Sequence, residues 1–219
     1  MSQTFTVTAQ TSDSDVQVAV AKAIAAISDG GLVVLPTDTS YAVVCDAFNT
    51  AAVTKLRMAK KQIAEISLPV AAASLETIQG VANFSVLAKD LASAIWPGAL
   101  TILTIPQDSL SWNIGQVDSA LAVRVPHHET ALAVLAGVGP CILTGAQQVG
   151  QGTIQTVEQA QNQLGELVDI YLDGGHLMGA KSTVIDATTD NLRLIRAGAI
   201  SLERIRQVLP GVIDASATN

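Results

Sequence analysis

Gly30-Gly31-Leu32-Val33-Val34-Leu35-Pro36-Thr37-Asp38-Thr39-Ser40-Tyr41 is the stretch from which the fold can be read. Its glycine pair ends the helix before it, and a short, continuous, β-branched apolar run then gives way to polar residues. A run of that length between glycine and proline is a buried strand. Polar residues directly after such a strand lie at its carboxyl end, where open α/β sheets bind ligands. Thr37, Thr39, Ser40 and Tyr41 place hydroxyls there, each able to donate and accept, which suits a small polar ligand. A capped turn, with Asp38 in an Asx-turn, would use the same residues.

Outward from this stretch, helical and strand patterns alternate, which predicts an α/β fold. Upstream lie a strand candidate at 5–7 and an alanine-rich helix, capped by Ser14 or Asp15, running to Ile27. Downstream, Asn49 caps a helix over 50–60, followed by a strand at 68–72 and a helix from Phe84 to Ile95 closed by Trp96-Pro97-Gly98. Strands are expected at 100–105, 120–125 and 140–144, with a helix at 128–136. Thr156 and Gln159 form a capping box for a helix to Leu164. Strands at 168–172, 183–187 and 192–196 and a helix from Ser201 to Leu209 complete the pattern. Residues 15–209 form the expected domain, 1–14 an N-terminal strand and lead-in, and 210–219 a frayed tail.

Composition narrows the class. The chain has 219 residues, 49% apolar and 14% charged, which excludes disorder and provides for a sizeable core. Aromatics make up only 3%, so that core must be built from Ala, Val, Leu and Ile. Twelve Lys and Arg against nineteen Asp and Glu give a net charge of −7, which argues against a non-specific nucleic-acid coat but allows a local basic patch. Cys45 and Cys141 form no CxxC pair and share no zinc spacing with His127, His128 or His176, so they read as small buried hydrophobes in a reducing compartment. No apolar run reaches the ~18 residues of a membrane helix, and the first ten residues lack signal-peptide character. A cytoplasmic protein without a membrane partner is therefore expected. No Walker phosphate loop, G-x-G-x-x-G fingerprint or G-x-S-x-G elbow is present.

Four further features could carry chemistry. Lys55, Arg57, Lys60 and Lys61 concentrate four of the twelve basic groups within seven residues, a pattern that suits phosphate or carboxylate, although Lys55 and Arg57 are better read as a solvated helix end. Arg124 sits inside the apolar strand Leu121-Ala122-Val123-Arg124-Val125, where an arginine needs a partner or a ligand, and a carboxylate ligand is favoured over a structural ion pair. Lys181-Ser182-Thr183-Val184-Ile185-Asp186, after Asp173-Gly174-Gly175, presents a Ser-Thr pair, and Arg196-Ala197-Gly198 places an arginine at a strand end.

The order of these pieces, with Cys45-Asp46-Ala47 and Trp96-Pro97-Gly98-Ala99-Leu100-Thr101 between them, resembles the YrdC/YciO/TsaC family of threonylcarbamoyl-AMP synthases over roughly residues 15 to 209. The resemblance implies a YrdC-like twisted mixed sheet flanked by helices around a concave, positively charged cavity. It implies a nucleotidyltransferase that condenses threonine, bicarbonate and ATP, with Mg, into threonylcarbamoyl-adenylate for modification of an adenosine in tRNA. Double-stranded RNA binding is also described for such proteins. Carried over by motif, Thr37, Thr39, Tyr41, Arg124, Ser182 and Thr183 form the threonine side, and Lys60, Thr144, Gln147 and Arg196 the nucleotide side.

The departures gather on the nucleotide side. The family's Lys-x-Arg falls on Lys60-Lys61-Gln62, losing the arginine, and its Ser-Thr-Ser-Ala-Asn falls on Leu143-Thr144-Gly145-Ala146-Gln147. The literal Lys55-x-Arg57 lies five residues upstream, roughly 140° around the helix, and is a decoy. Two readings follow. One is a synthase of weakened activity that binds threonine, or a similar small carboxylate, better than ATP and uses Mg with ATP. The other is a non-synthase YciO-like paralogue without a metal, binding double-stranded RNA, a nucleotide or an acyl-adenylate.

Overall fold

The structure is a computed structural model describing residues 2–115 and 120–215. Its elements in chain order are β1 (Gln3–Thr6), α1 (Asp13–Ser28), β2 (Val33–Pro36), β3 (Tyr41–Asp46), α2 (Thr50–Lys60), β4 (Val70–Ala71), α3 (Leu75–Gln79), β5 (Ala82–Asn83), α4 (Val86–Ile95), β6 (Leu100–Pro106), β7 (Leu121–Arg124), α5 (Glu129–Val138), β8 (Cys141–Gly145), α6 (Val157–Leu164), β9 (Ile170–Asp173), β10 (Thr183–Asp186), β11 (Arg193–Arg196), α7 (Leu202–Val208) and β12 (Ile213–Asp214). A short 3₁₀ turn at Gly165–Leu167 follows α6. The strands run in the order β1-β9-β2-β3-β8-β4-β7-β6-β10-β11-β12, with β5 added to β6. Both parallel and antiparallel pairs occur, so the sheet is mixed as expected.

Local signals decide the helix ends. The Asn49 side chain accepts the Ala52 N–H at 3.0 Å, and Thr156 and Gln159 close the capping box in both directions. Helix α1 begins earlier than the expected Ser14 or Asp15 cap, with Ser12 as its cap, because the Ser12 hydroxyl accepts the Asp15 N–H. Strand β3, helix α3 and the two-residue strands β5 and β12 had no expectation. The hairpin joining β2 to β3 pairs Val33 with Val44 and Pro36 with Tyr41, so the hydroxyl-rich 37–40 segment is a tight turn. Strand β1 pairs with β9 and β12 with β11, so sheet pairing reaches both the lead-in and Asp214; the end of the expected tail, 216–219, lies outside the described residues.

Side-chain alternation positions the site. On one face, Val34, Tyr41, Val43, Ile102, Val123, Ile142 and Ile185 pack under α2, α3, α4, α6 and α7. On the other, Val33, Leu35, Ala42, Val44 and Leu143 pack under only α1 and α5, through Ala19, Ala23, Ile27, Ala131 and Val134. Among the described residues, no helix covers the second face of β6, β7 and β10, and Thr101, Leu103, Ala122 and Val184 line open space there. Among the described residues, no helix is long and apolar enough to cross a membrane.

Candidate functional site

The uncovered part of the sheet is the floor of a cavity of about 660 Å³. Thr37, Thr39 and Ser40 wall it on one side, Leu143, Thr144, Gly145 and Gln147 on a second, and Lys181, Ser182 and Arg196 on a third, with Arg124 rising from β7. Two glycines permit this closure. A Cβ on Gly179 would lie 2.6 Å from the Thr39 Cα, and one on Gly198 would lie 2.5 Å from the Ser182 carbonyl carbon. The 174–182 segment thus lies directly on the Thr39 turn, and the β11 exit lies directly on Ser182.

Thr37, rather than Asp38, builds the turn. Its hydroxyl accepts the N–H groups of Thr39 and Ser40, both at 3.2 Å, and donates to the Ser40 carbonyl at 2.7 Å. Asp38 is thereby freed from an Asx-turn and pairs with Arg124. The Arg124 guanidinium donates through Nε to Gly98 O at 3.0 Å, through Nη1 to Thr39 Oγ1 at 3.2 Å, and through Nη2 to Asp38. Trp96-Pro97-Gly98 thus holds an arginine in place through its last carbonyl. The structural ion pair that sequence reasoning ranked second exists, and Arg124 still lines the cavity with two of its five N–H donors uncommitted. Burial depresses the Arg124 pKa, and Asp38 acts against that.

Ser182 and Arg196 form a further part of the wall, and the Arg196 charge adds to the depression of the Arg124 pKa. Arg196 donates to the Ser182 carbonyl at 2.8 Å and to its hydroxyl at 3.0 Å, and that hydroxyl lies 2.9 Å from Thr101 Oγ1.

Three expected side chains do not face the cavity. Tyr41 is fully buried on the helix-rich face; its hydroxyl donates to Gly175 O at 2.7 Å and accepts the Gly174 N–H at 2.9 Å. The cause is strand parity: Ala42 lines the cavity, so its neighbour points away. Thr183 is likewise turned inward, donating to Ile200 O at 2.6 Å, while Ser182 and Val184 line the cavity. Lys60 runs beneath the 145–147 turn and donates to the carbonyls of Gly145 and, at 2.7 Å, Gln147. Tyr41→Phe leaves the Gly174 N–H and Gly175 carbonyl short of a partner, so a stability loss of about 1–3 kcal/mol with ligand affinity unchanged is expected from denaturant melts and titration. A binding defect larger than the stability defect would return Tyr41 to the site.

Lys60 also supplies a pH signature. Burial pulls its ammonium pKa from 10.5 down to about 8. Between pH 8 and 10.5 the unfolded chain keeps that proton while the folded chain has released it, so folding stability attributable to Lys60 rises with pH across this window. Urea melts of the wild type and Lys60→Met at pH 7 and pH 10 should show the wild type gaining relative to the variant; a constant difference would mean Lys60 stays charged when folded.

The remaining basic residues do not form one face. Lys55 pairs with Asp169 at 2.7 Å, and Arg57 donates to Ile63 O at 2.8 Å. Arg57, Lys61 and Gln62 line a second, separate cavity of about 410 Å³. The sequence marked Lys55-x-Arg57 as a decoy, and its side chains do not line the large cavity. Thr101 lines the cavity although the sequence motifs did not mark it as a site residue; the even-odd alternation of β6 is the signal that places it there.

A mixed α/β sheet with a cation- and hydroxyl-lined concavity over its uncovered face defines a small-molecule-binding class. The family model Sua5_yciO_yrdC, described as Telomere recombination, matches residues 25–198. A Mycobacterium leprae protein named as a candidate threonylcarbamoyl-AMP synthase is 41% identical over 199 residues, 90% of each chain. The Bacillus subtilis threonylcarbamoyl-AMP synthase is 34% identical over 93% of this chain and 59% of its own. Pyrococcus abyssi Sua5, solved in complex with L-threonine, superimposes with a TM-score of 0.88 at 28% identity, covering 99% of this chain and 63% of that one. The chain belongs to the Sua5/YciO/YrdC family.

Proposed function

We propose that this chain is a threonylcarbamoyl-AMP synthase, converting threonine, bicarbonate and ATP into threonylcarbamoyl-adenylate and pyrophosphate for modification of an adenosine in tRNA. The observation that carries this reading is a single cavity lined both by the hydroxyls and guanidinium of Thr37, Thr39 and Arg124 and by the cations Lys181 and Arg196. The 41% identity across 90% of both chains supports it.

In this reading the two uncommitted Arg124 donors hold the threonine carboxylate, and the Thr37, Thr39 and Ser182 hydroxyls orient its polar groups. The carbamate oxygen formed on the threonine nitrogen attacks the α-phosphorus, and pyrophosphate leaves on the far side. The chain contributes chiefly by holding the partners in line and meeting charge on the leaving group. Arg196 presents the donors of its Nη1 to that charge, while Nε and Nη2 are anchored on Ser182. Among the described residues no group of three His, Cys, Asp or Glu side chains gathers as a metal cage. Mg therefore fits as a companion of the ATP phosphates, where it would neutralise charge.

Gly145 brings no hydroxyl to the phosphate side, so turnover below that of a chain with the full family motif is expected. The test is pyrophosphate release with threonine, bicarbonate and ATP. Release that depends on all three supports the reading; none from folded protein at high enzyme concentration refutes it.

A further inference from the structure

We propose that Lys181 binds the phosphate chain of the nucleotide in the large cavity alongside Arg196, an assignment that rests on the synthase reading above. Four basic side chains lie in or directly beneath the cavity wall. Lys60 is engaged by two backbone carbonyls, Arg124 by Asp38, Thr39 and Gly98, and Arg196 by both oxygens of Ser182. Among the described residues, the Lys181 ammonium has no hydrogen-bond or ion-pair partner, and the residue is exposed along the cavity wall.

Its backbone is the anchored part. The Lys181 carbonyl accepts the Ala199 N–H at 2.9 Å, and the close approach of Gly198 pins the 181–183 backbone against the β11 exit. The base of the side chain is thus fixed, and its four-carbon stem lies exposed along the cavity wall. The next residue, Ser182, holds Arg196, so the two cations occupy one wall. A compact ammonium with three rotatable donors can follow a phosphate chain as it changes from bound ATP to departing pyrophosphate, which a clamped guanidinium cannot. Lys61, the other unengaged lysine near the site, lines the separate cavity with Arg57.

The test is calorimetric titration of Mg-ATP, inorganic pyrophosphate and threonine into the intact chain, Lys181→Met and Lys181→Arg, with KM for ATP measured in parallel. Lys181→Met should weaken both phosphate ligands about tenfold and raise the KM for ATP, leave threonine affinity unchanged, and be largely restored by Lys181→Arg. The difference between wild type and Lys181→Met should shrink as ionic strength rises. Unchanged ATP and pyrophosphate affinity in a normally melting Lys181→Met variant overturns the assignment while leaving the synthase reading in place. An equal loss of threonine affinity also overturns it, by putting Lys181 on the other side of the reaction. A wild-type chain that binds neither phosphate ligand overturns both.

Discussion

Replacing Arg124 by alanine is expected to lower stability by about 3 kcal/mol as well as abolish threonine binding, because it leaves the mostly buried Asp38 carboxylate without its partner. For a chain of this length, that loss corresponds to a melting-temperature drop of roughly 6–12 °C. The same change frees the Gly98 carbonyl and the Thr39 hydroxyl, so the turn that forms the hydroxyl wall loses its tether. Arg124→Lys should recover little, since a single ammonium cannot reach three acceptors in different directions and still offer a fork. A second variant separates the two effects: Asp38→Asn with Arg124→Met removes both charges, and should regain most of the stability without regaining threonine affinity. Thermal melts and threonine titrations on the same samples check this. An unchanged melting temperature in Arg124→Ala would show that Asp38 finds water or another donor when released.

Gly145→Ser together with Gln147→Asn is expected to raise turnover about tenfold, the value of one charge-assisted contact to phosphate. The two positions are in direct contact. A Cβ at position 145 would lie 2.9 Å from the Gln147 side-chain amide carbon, because that amide curls over the glycine. Its Oε1 is buried there without a hydrogen-bond partner. Gly145→Ser alone should push this flexible amide aside at little cost in stability, while Gln147→Asn withdraws one methylene and clears the space. Gln62→Arg should add nothing, since position 62 lines the second cavity beside Arg57, where a new guanidinium meets a like charge. The readout is kcat for threonine-dependent adenylate formation, with melting temperature as the control. Recovery only in the triple variant would mean that residue 62 turns into the large cavity when nucleotide binds.

Much of the fold was legible in the sequence because its signals are local. The Asn49 cap, the Thr156–Gln159 box and the apolar runs at 33–36 and 100–106 act within a few residues, and each formed the element it encodes. Strand β3 escaped notice because the polar 37–41 segment masks the hairpin; only pairing with β2 and β8 makes 41–46 a strand. Tyr41 and Thr183 were misassigned for the same reason. Their hydroxyls suit a ligand, but strand parity, once the strands are fixed, sends them to the packed face.

The sequence by itself determined the alternation of elements, the helix ends and which polar residues gather at strand ends. Tertiary structure alone decided which of the cations remain available. Lys60 meets the Gly145 carbonyl across 85 positions and Arg124 meets Asp38 across 86, so neither partner is encoded near the residue it engages. A charge becomes a ligand or a strut according to which acceptor reaches it first in space, and that is fixed only when the sheet brings distant turns together.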